Sequence, residues 1–263
     1  MELSLKRKYL GIPYLIFLFI FVLLPLFVIF YYALTDGTGH FTLSNFGHFF
    51  TNSRAIGTLI YSMVIALITT AICLLLAYPT SYVLSRSGIK GGAAWLIIIV
   101  MPMWINFTLR LTALKEILSF IEGNLAFHPF LNTIIGMVYD FLPFMVLPIY
   151  NSIEKMDTAL LEAAEDLGAG KREVFFKVML PLSMPGIVSG ITMVFLPAMT
   201  NYVVLDMLYN STYIMGSLIG SYFSAFNWND GAMVSAVLLV LIGLLTWLTG
   251  RVSDDADREG ARL

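Results

Sequence analysis

Apolar residues in this chain come in long blocks separated by short polar stretches, instead of alternating with charge. A helix crossing a bilayer needs about 20 mostly apolar residues, because every backbone N–H and C=O in the hydrocarbon must be paired within the span. Six segments meet that requirement, approximately residues 9–34, 57–84, 93–111, 131–150, 186–205 and 232–250. The expected fold class is all-α integral membrane with six transmembrane helices. Residues 1–8 form a short N-terminal segment, 9–250 the membrane domain with a polar loop over 151–185, and 251–263 a tail. The apolar run after Lys6-Arg7-Lys8 is far longer than the roughly 7–15-residue core of a cleavable signal, so it reads as a retained first span.

Two stretches are not simple spans. Residues 153–177 mix Glu and Asp with Lys among helix formers, which predicts short helices in water. Residues 209–229 set Tyr213, Gly216, Ser217, Gly220, Ser221 and Ser224 at helical spacing, predicting a short packed helix on the outer side, with Gly216 and Gly220 as its close-approach residues.

Charge orients the chain. With the N-terminus in the cytoplasm, the cytoplasmic segments hold Lys6, Arg7, Lys8, Arg86, Lys90, Lys155, Lys171, Arg172, Lys177, Arg251, Arg258 and Arg262, which is 12 of the 15 bases. Only Arg54, Arg110 and Lys115 fall outside. This partition follows the excess of Lys and Arg in cytoplasmic loops, and it predicts that both termini are cytoplasmic.

Composition agrees with a membrane class: 59% of the 263 residues are hydrophobic and 12% charged, with mean hydropathy +0.84, far from a soluble domain. A net charge of -2 and the lack of a basic, aromatic-interleaved groove argue against nucleic acid as a partner. Cys73, the single cysteine, sits in an apolar run and reads as a small core residue. His40, His48 and His128 all fall in outer loops, and the chain contains no HExxH, Gly-x-Ser-x-Gly or GxxxxGK[ST] motif, so neither catalysis nor ATP hydrolysis by this chain is expected.

One loop carries a signature. It reads Glu162-Ala163-Ala164, three residues, Gly168, nine residues, then Val178-Met179-Leu180-Pro181. Glu162 to Ala164 can open a helix with a small face, and Gly168 permits a left-handed turn at its end. Pro181 and Pro185 are expected to stop helix propagation and aim the chain into the fifth span. The pattern resembles the EAA signature of ABC importer permeases, departing only at Val178, where that family has Ile. The stretches from Leu142-Pro143-Phe144 to Lys155, Leu161 to Gly170, Pro181 to Gly186 and Phe195 to Met199 resemble the PotB-type permeases of spermidine/putrescine importers.

The resemblance implies a type I ABC importer permease (MetI-like) fold in the bacterial inner membrane. It implies that Glu162, Ala163, Ala164, Gly168, Leu180 and Pro181 couple the chain to a separate ATPase. Its implied partners are a pair of ATP-binding subunits, a second homologous permease, an extracytoplasmic solute-binding protein, a polyamine substrate and the lipid bilayer. No cofactor is implied in this chain, since ATP would be used by the partner.

Four residues are candidates for the substrate pathway. A carboxylate at Asp140, near the middle of the fourth span, costs at least roughly 2.5 kcal/mol on insertion scales. It either faces a path for a cation or pairs with a polar group on a neighbouring helix or the partner permease. Tyr202 and Asp206 are four residues apart and share a helical face, and an aromatic ring beside a carboxylate suits an alkylammonium ion. Trp104, near Pro102, is another candidate wall. The ordinary uses of such residues are interfacial anchoring for Tyr and Trp and kinking for Pro. The outer loops hold Asp36, Glu116, Glu122, Asp206 and Asp230 against Arg54, Arg110 and Lys115, five acids to three bases, a small negative excess compatible with cations. A self-sufficient channel or secondary transporter is the competing class; Asp140 favours it, while the EAA loop and the lack of internal symmetry oppose it.

Overall fold

The computed structural model describes residues 11–86, 91–208 and 210–260. Lys6, Arg7, Lys8, Lys90 and Arg262, used above to orient the chain, lie outside the described residues. The helices are α1 (Ile12–Ala33), α2 (Ser44–Thr51), α3 (Ser53–Arg86), α4 (Gly92–Trp104), α5 (Phe107–Glu122), α6 (Pro129–Glu154), α7 (Thr158–Asp166), α8 (Lys171–Ala198), α9 (Tyr202–Met207), α10 (Met215–Ser224) and α11 (Trp228–Gly260). Among the described residues, five helices are long and apolar enough to span a bilayer, and a sixth span results if the bent pair α4 and α5 counts as one.

That pair departs from expectation. The predicted third span, 93–111, is broken, and α4 and α5 meet at 100°. Pro102 sits in a tight 3-10 turn that closes α4, Ile105 is extended, and the Asn106 side chain accepts from the backbone N–H of Thr108 and Leu109. A hydrophobic average runs straight through such a stop and restart, because Pro102 and Asn106 dilute it only slightly.

The fifth span also differs. It begins at Lys171 and passes through Pro181 and Pro185 without stopping. The turn Phe175–Met179 is widened to π geometry, and the Leu180 N–H reaches the Phe175 carbonyl. Widening the turn just before Pro181 accommodates a residue that has no N–H and would clash with the carbonyl four residues back. α1 does the same, with a π turn over Phe19–Leu23 ahead of Leu24 and Pro25. The helix then ends at Ala198, so Tyr202 and Asp206 lie on the separate α9.

The chain divides into two compact units, Met1–Thr58 with Ser217–Leu241, and Leu59–Gly216 with Ile242–Leu263. In the first, Asn45 donates to the carbonyls of Ala33 and Thr35 at 3.1 and 2.9 Å. Asn229 donates to those of Tyr32 and Thr35. These bonds tie the open carbonyl end of α1 to α2 and α11. The α1 window itself has no buried residue, as suits a helix apolar on every side.

The second unit is built around α6, whose Met137, Met145, Val146, Ile149 and Ile153 are fully buried. α8 lies directly against it. A Cβ on Gly186 would stand 2.6 Å from the Pro148 carbonyl oxygen, and one on Gly190 2.6 Å from the Met145 sulfur. Glycines four apart on a membrane helix let backbones approach closely, and here that pair is Gly186 and Gly190. Of the outer pair named from sequence, Gly216 is a close-approach residue, since a Cβ there would collide with the Thr200 carbonyl oxygen, whereas Gly220 faces open space. α3 is tied to α6 by Ser81, which donates to the Val146 carbonyl at 3.1 Å, and to α8 by the Tyr78 and Ser183 hydroxyls, 3.0 Å apart.

Candidate functional site

The signature loop forms a helix that starts earlier than its Glu-Ala-Ala run. Asp157 caps α7 by accepting from the Ala159 N–H at 3.0 Å. The far end closes on Gly168, with φ +88°. The Gly168 N–H donates to the Glu165 carbonyl at 2.9 Å and the Ala169 N–H to the Ala164 carbonyl at 3.0 Å. This double reverse bond stops a helix on a left-handed residue, where glycine is free of Cβ strain. Glu173 accepts from the Gly170 N–H and pairs with Lys177 at 2.8 Å, starting α8 after a two-residue link, Ala169-Gly170.

No residue of α7 is buried. Leu167 is 89% exposed and Leu160 39%. Glu162, Ala163 and Gly168 are exposed as well, while Ala164, Leu180 and Pro181 are half-buried. A short helix with apolar residues such as Leu160 and Leu167 facing outward is shaped to dock on another protein. Leu180 and Pro181 sit on α8 beyond the π turn, so the signature's two ends lie on different helices, joined by the Gly168 turn.

The four pathway candidates differ in element and burial. Asp140 is buried on α6 and accepts from Arg110 of α5 at 2.5 Å, with both side chains 7% exposed. Of the two readings left open for this carboxylate, the structure displays the pairing one. Arg110, counted above as an outer-loop base, is instead a buried partner, and it leaves the outer charge tally. Its Nε and Nη1 are buried without a hydrogen-bond partner, and Asp140 supplies a compensating charge through Nη2. Trp104 stands at the broken turn and is 80% exposed. Tyr202 and Asp206 are both exposed on α9, on the face opposite the buried Val204 and Leu205.

Sequence reasoning missed three polar tethers. Asn210 donates to the Tyr61 hydroxyl at 3.0 Å and to Thr133 at 2.9 Å. Ser62 accepts from the Met215 N–H at 2.9 Å. Arg86, used only as a topological charge, donates to the carbonyls of Ile153 and Met156. An isolated polar residue at the margin of an apolar block was the available signal in each case. Among the described residues no cluster of three or more His, Cys, Asp or Glu could hold a metal ion.

A family model described as "Binding-protein-dependent transport system inner membrane component" matches residues 4–253. The chain is 40% identical over 208 residues to the spermidine/putrescine transport system permease protein PotB of Haemophilus influenzae, covering 73% of each chain. It is 37% identical over 211 residues to the Escherichia coli protein of the same description, covering 74% of this chain and 77% of that one. In fold it is similar to a chain of the bacterial alginate ABC transporter in complex with alginate pentasaccharide-bound periplasmic protein, with TM-score 0.67, 15% identity and 94% of both chains covered. It is also similar to a chain of the MetNI methionine ABC transporter in an inward-facing conformation, with TM-score 0.55, 18% identity, and 76% of this chain and 95% of that chain covered.

Proposed function

Because this chain belongs to the family of binding-protein-dependent transport system inner membrane components, we propose that it is the polyamine-conducting permease of an ATP-driven importer, coupled through α7 to a separate pair of ATP-binding subunits. It is a multi-pass membrane subunit with no catalytic role of its own. A second, homologous permease completes the channel, and an extracytoplasmic binding protein delivers spermidine or putrescine. The charge partition supports a cytoplasmic position for α7 and both termini.

The observation that carries the coupling role is α7 itself, a capped helix that has no buried residue and bears the EAA residues. Its Gly168 stop leads through a two-residue link into the continuous α8. A push on α7 is therefore delivered to a span and not absorbed in a slack loop. Glu162, Ala163, Ala164 and Gly168 form the docking element, while Leu180 and Pro181 set the π-widened start of α8. Trp104, Tyr202 and Asp206, all exposed, are the residues proposed to meet the polyamine. Tyr202 and Asp206 offer a ring and a carboxylate on one face, suited to an alkylammonium group. Support for polyamines as cargo comes from the named relatives, which are 37–40% identical.

The coupling role is tested by Gly168→Trp and Glu162→Lys. Each variant is expected to reach the membrane and fail to co-purify with the ATPase, with loss of substrate-stimulated ATP hydrolysis. Normal coupling in both would refute the docking role of α7. Cargo is tested by calorimetric titration of the cognate binding protein with putrescine, spermidine and an unrelated solute. Tight binding of only the unrelated solute would remove the polyamine assignment and leave the importer assignment standing.

A further inference from the structure

Arg86 is the last residue of α3. Its Nη2 donates to the Ile153 carbonyl at 2.8 Å and also to the Met156 carbonyl. Ile153 lies in the last turn of α6, and Met156 immediately precedes Asp157, the cap of α7. One cation therefore bridges the end of a span and the root of the exposed α7. The Ile153 carbonyl belongs to the negative end of α6, where the last carbonyls lack partners within the helix, and the Met156 carbonyl lies just beyond it. A guanidinium suits that place, since it stays charged at any working pH and can bridge two acceptors with a planar fork. The Nε of Arg86 is buried without a partner, so this side chain is held in the corner and is not simply solvated at the membrane edge.

We propose that Arg86 is a positioning residue for transport, carrying displacement of α7 directly to α3. Two further bonds join the same end of α3 to its neighbours, Ser81 to α6 and Tyr78 to α8. Both lie within the spans and would hold α3 against α6 and α8 whether or not α7 moved. Arg86, by contrast, grips the backbone one residue before the α7 cap. Through it α3 follows α7, while α8 follows through the Gly168 turn, so the two spans are driven from opposite ends of one short helix.

The inference rests on the importer reading, and its test separates the two. The complete transporter, comprising this permease, its partner permease, the ATPase pair and the binding protein, is reconstituted with wild-type, Arg86→Met and Arg86→Lys chains. Basal ATP hydrolysis, hydrolysis stimulated by spermidine-loaded binding protein, and spermidine moved per ATP are each normalised to assembled complex. Arg86→Met keeps the apolar stem and removes the donors. It is expected to retain basal hydrolysis but lose roughly five-fold or more of its stimulation, the low end of typical coupling between sites, with a matching fall in spermidine per ATP. Arg86→Lys, which keeps a charge and donors, should recover part of both. A purely structural anchor would lower the amount of assembled complex and leave the normalised ratios unchanged, and that result would overturn the proposal. A lysine variant as uncoupled as the methionine variant would also overturn it. Absence of stimulation in the wild type would overturn the importer reading and this inference with it.

Discussion

Replacing Asp140 with Asn is predicted to damage the fold before it damages transport. Asp140 and Arg110 are each 7% exposed and 2.5 Å apart, and two further guanidinium nitrogens are already buried without partners. Asp140→Asn would leave a buried, uncompensated cation inside the second unit, and removing one member of such a pair costs about 3–5 kcal/mol. Arg110→Gln should cost a similar amount by stranding the carboxylate. Replacing both, as Arg110→Met with Asp140→Leu, removes two desolvation penalties along with their attraction. The double variant is thus expected to regain most of the lost stability, within about 1 kcal/mol of wild type. Equilibrium unfolding of the purified permease in mixed micelles measures all four corners of the cycle, and the deviation from additivity is the coupling of the pair. Spermidine uptake by the double variant, per folded molecule, then separates fold from pathway. If the pair only pins α5 to α6, the KM for uptake should stay within roughly two-fold of wild type, as for a residue making no substrate contact. Unchanged stability in Asp140→Asn would refute the structural role. A stable double variant that no longer transports would return the carboxylate to the substrate pathway.

Gly186→Leu should separate α8 from α6, since even a Cβ there meets backbone and side-chain atoms at 2.6 Å, and overpacking of this kind costs about 1–3 kcal/mol. Gly220→Ala, facing open space, should be silent by comparison, and size-exclusion profiles with thermal melts of the two variants check both. In the turn after α1, the exposed Asp36 carboxylate accepts from the Thr38 hydroxyl at 2.7 Å and from the Thr38 and His40 N–H groups, each at 2.9 Å. The Thr38 hydroxyl bond first, then the His40 N–H, hold its pKa below the ordinary carboxylate value. A depressed folded pKa contributes stability that is fully present above the unfolded value and is lost as pH falls through the folded one. Asp36→Asn should therefore lessen the acid-side fall in melting temperature and leave its slope near pH 7 unchanged. An identical acid limb in both proteins would contradict the reading.

The chain's membrane class, its five uninterrupted spans and the EAA loop were legible from sequence because each is a property of one contiguous segment. A run of apolar residues stays apolar whatever it packs against, and Gly168 permits a left-handed stop locally, through its own missing Cβ. The break at Pro102 to Asn106 was also local, in a proline and an Asn cap, but hydropathy over a span-length window averages it away. The π turns before Pro25 and Pro181 were not legible either, since a proline can stop a helix or be accommodated by a widened turn, and the residue type alone does not choose between them.

What the tertiary structure alone decided is which polar groups meet. Arg110 and Asp140 are 30 positions apart, Arg86 and Met156 are 70, and Asn210 and Tyr61 are 149. Singly, Arg86, Arg110 and Asn210 read as polar groups near a span edge and Asp140 as a carboxylate near the middle of one, with burial and partner undefined. The sequence by itself determined that this chain crosses a membrane and displays a helix bearing the coupling signature. The fold determined that Asp140 is answered by Arg110 and that Arg86 grips the root of that helix. Hydrophobicity acts on each segment separately, whereas the pairing of buried polar groups depends on which helix faces are brought together.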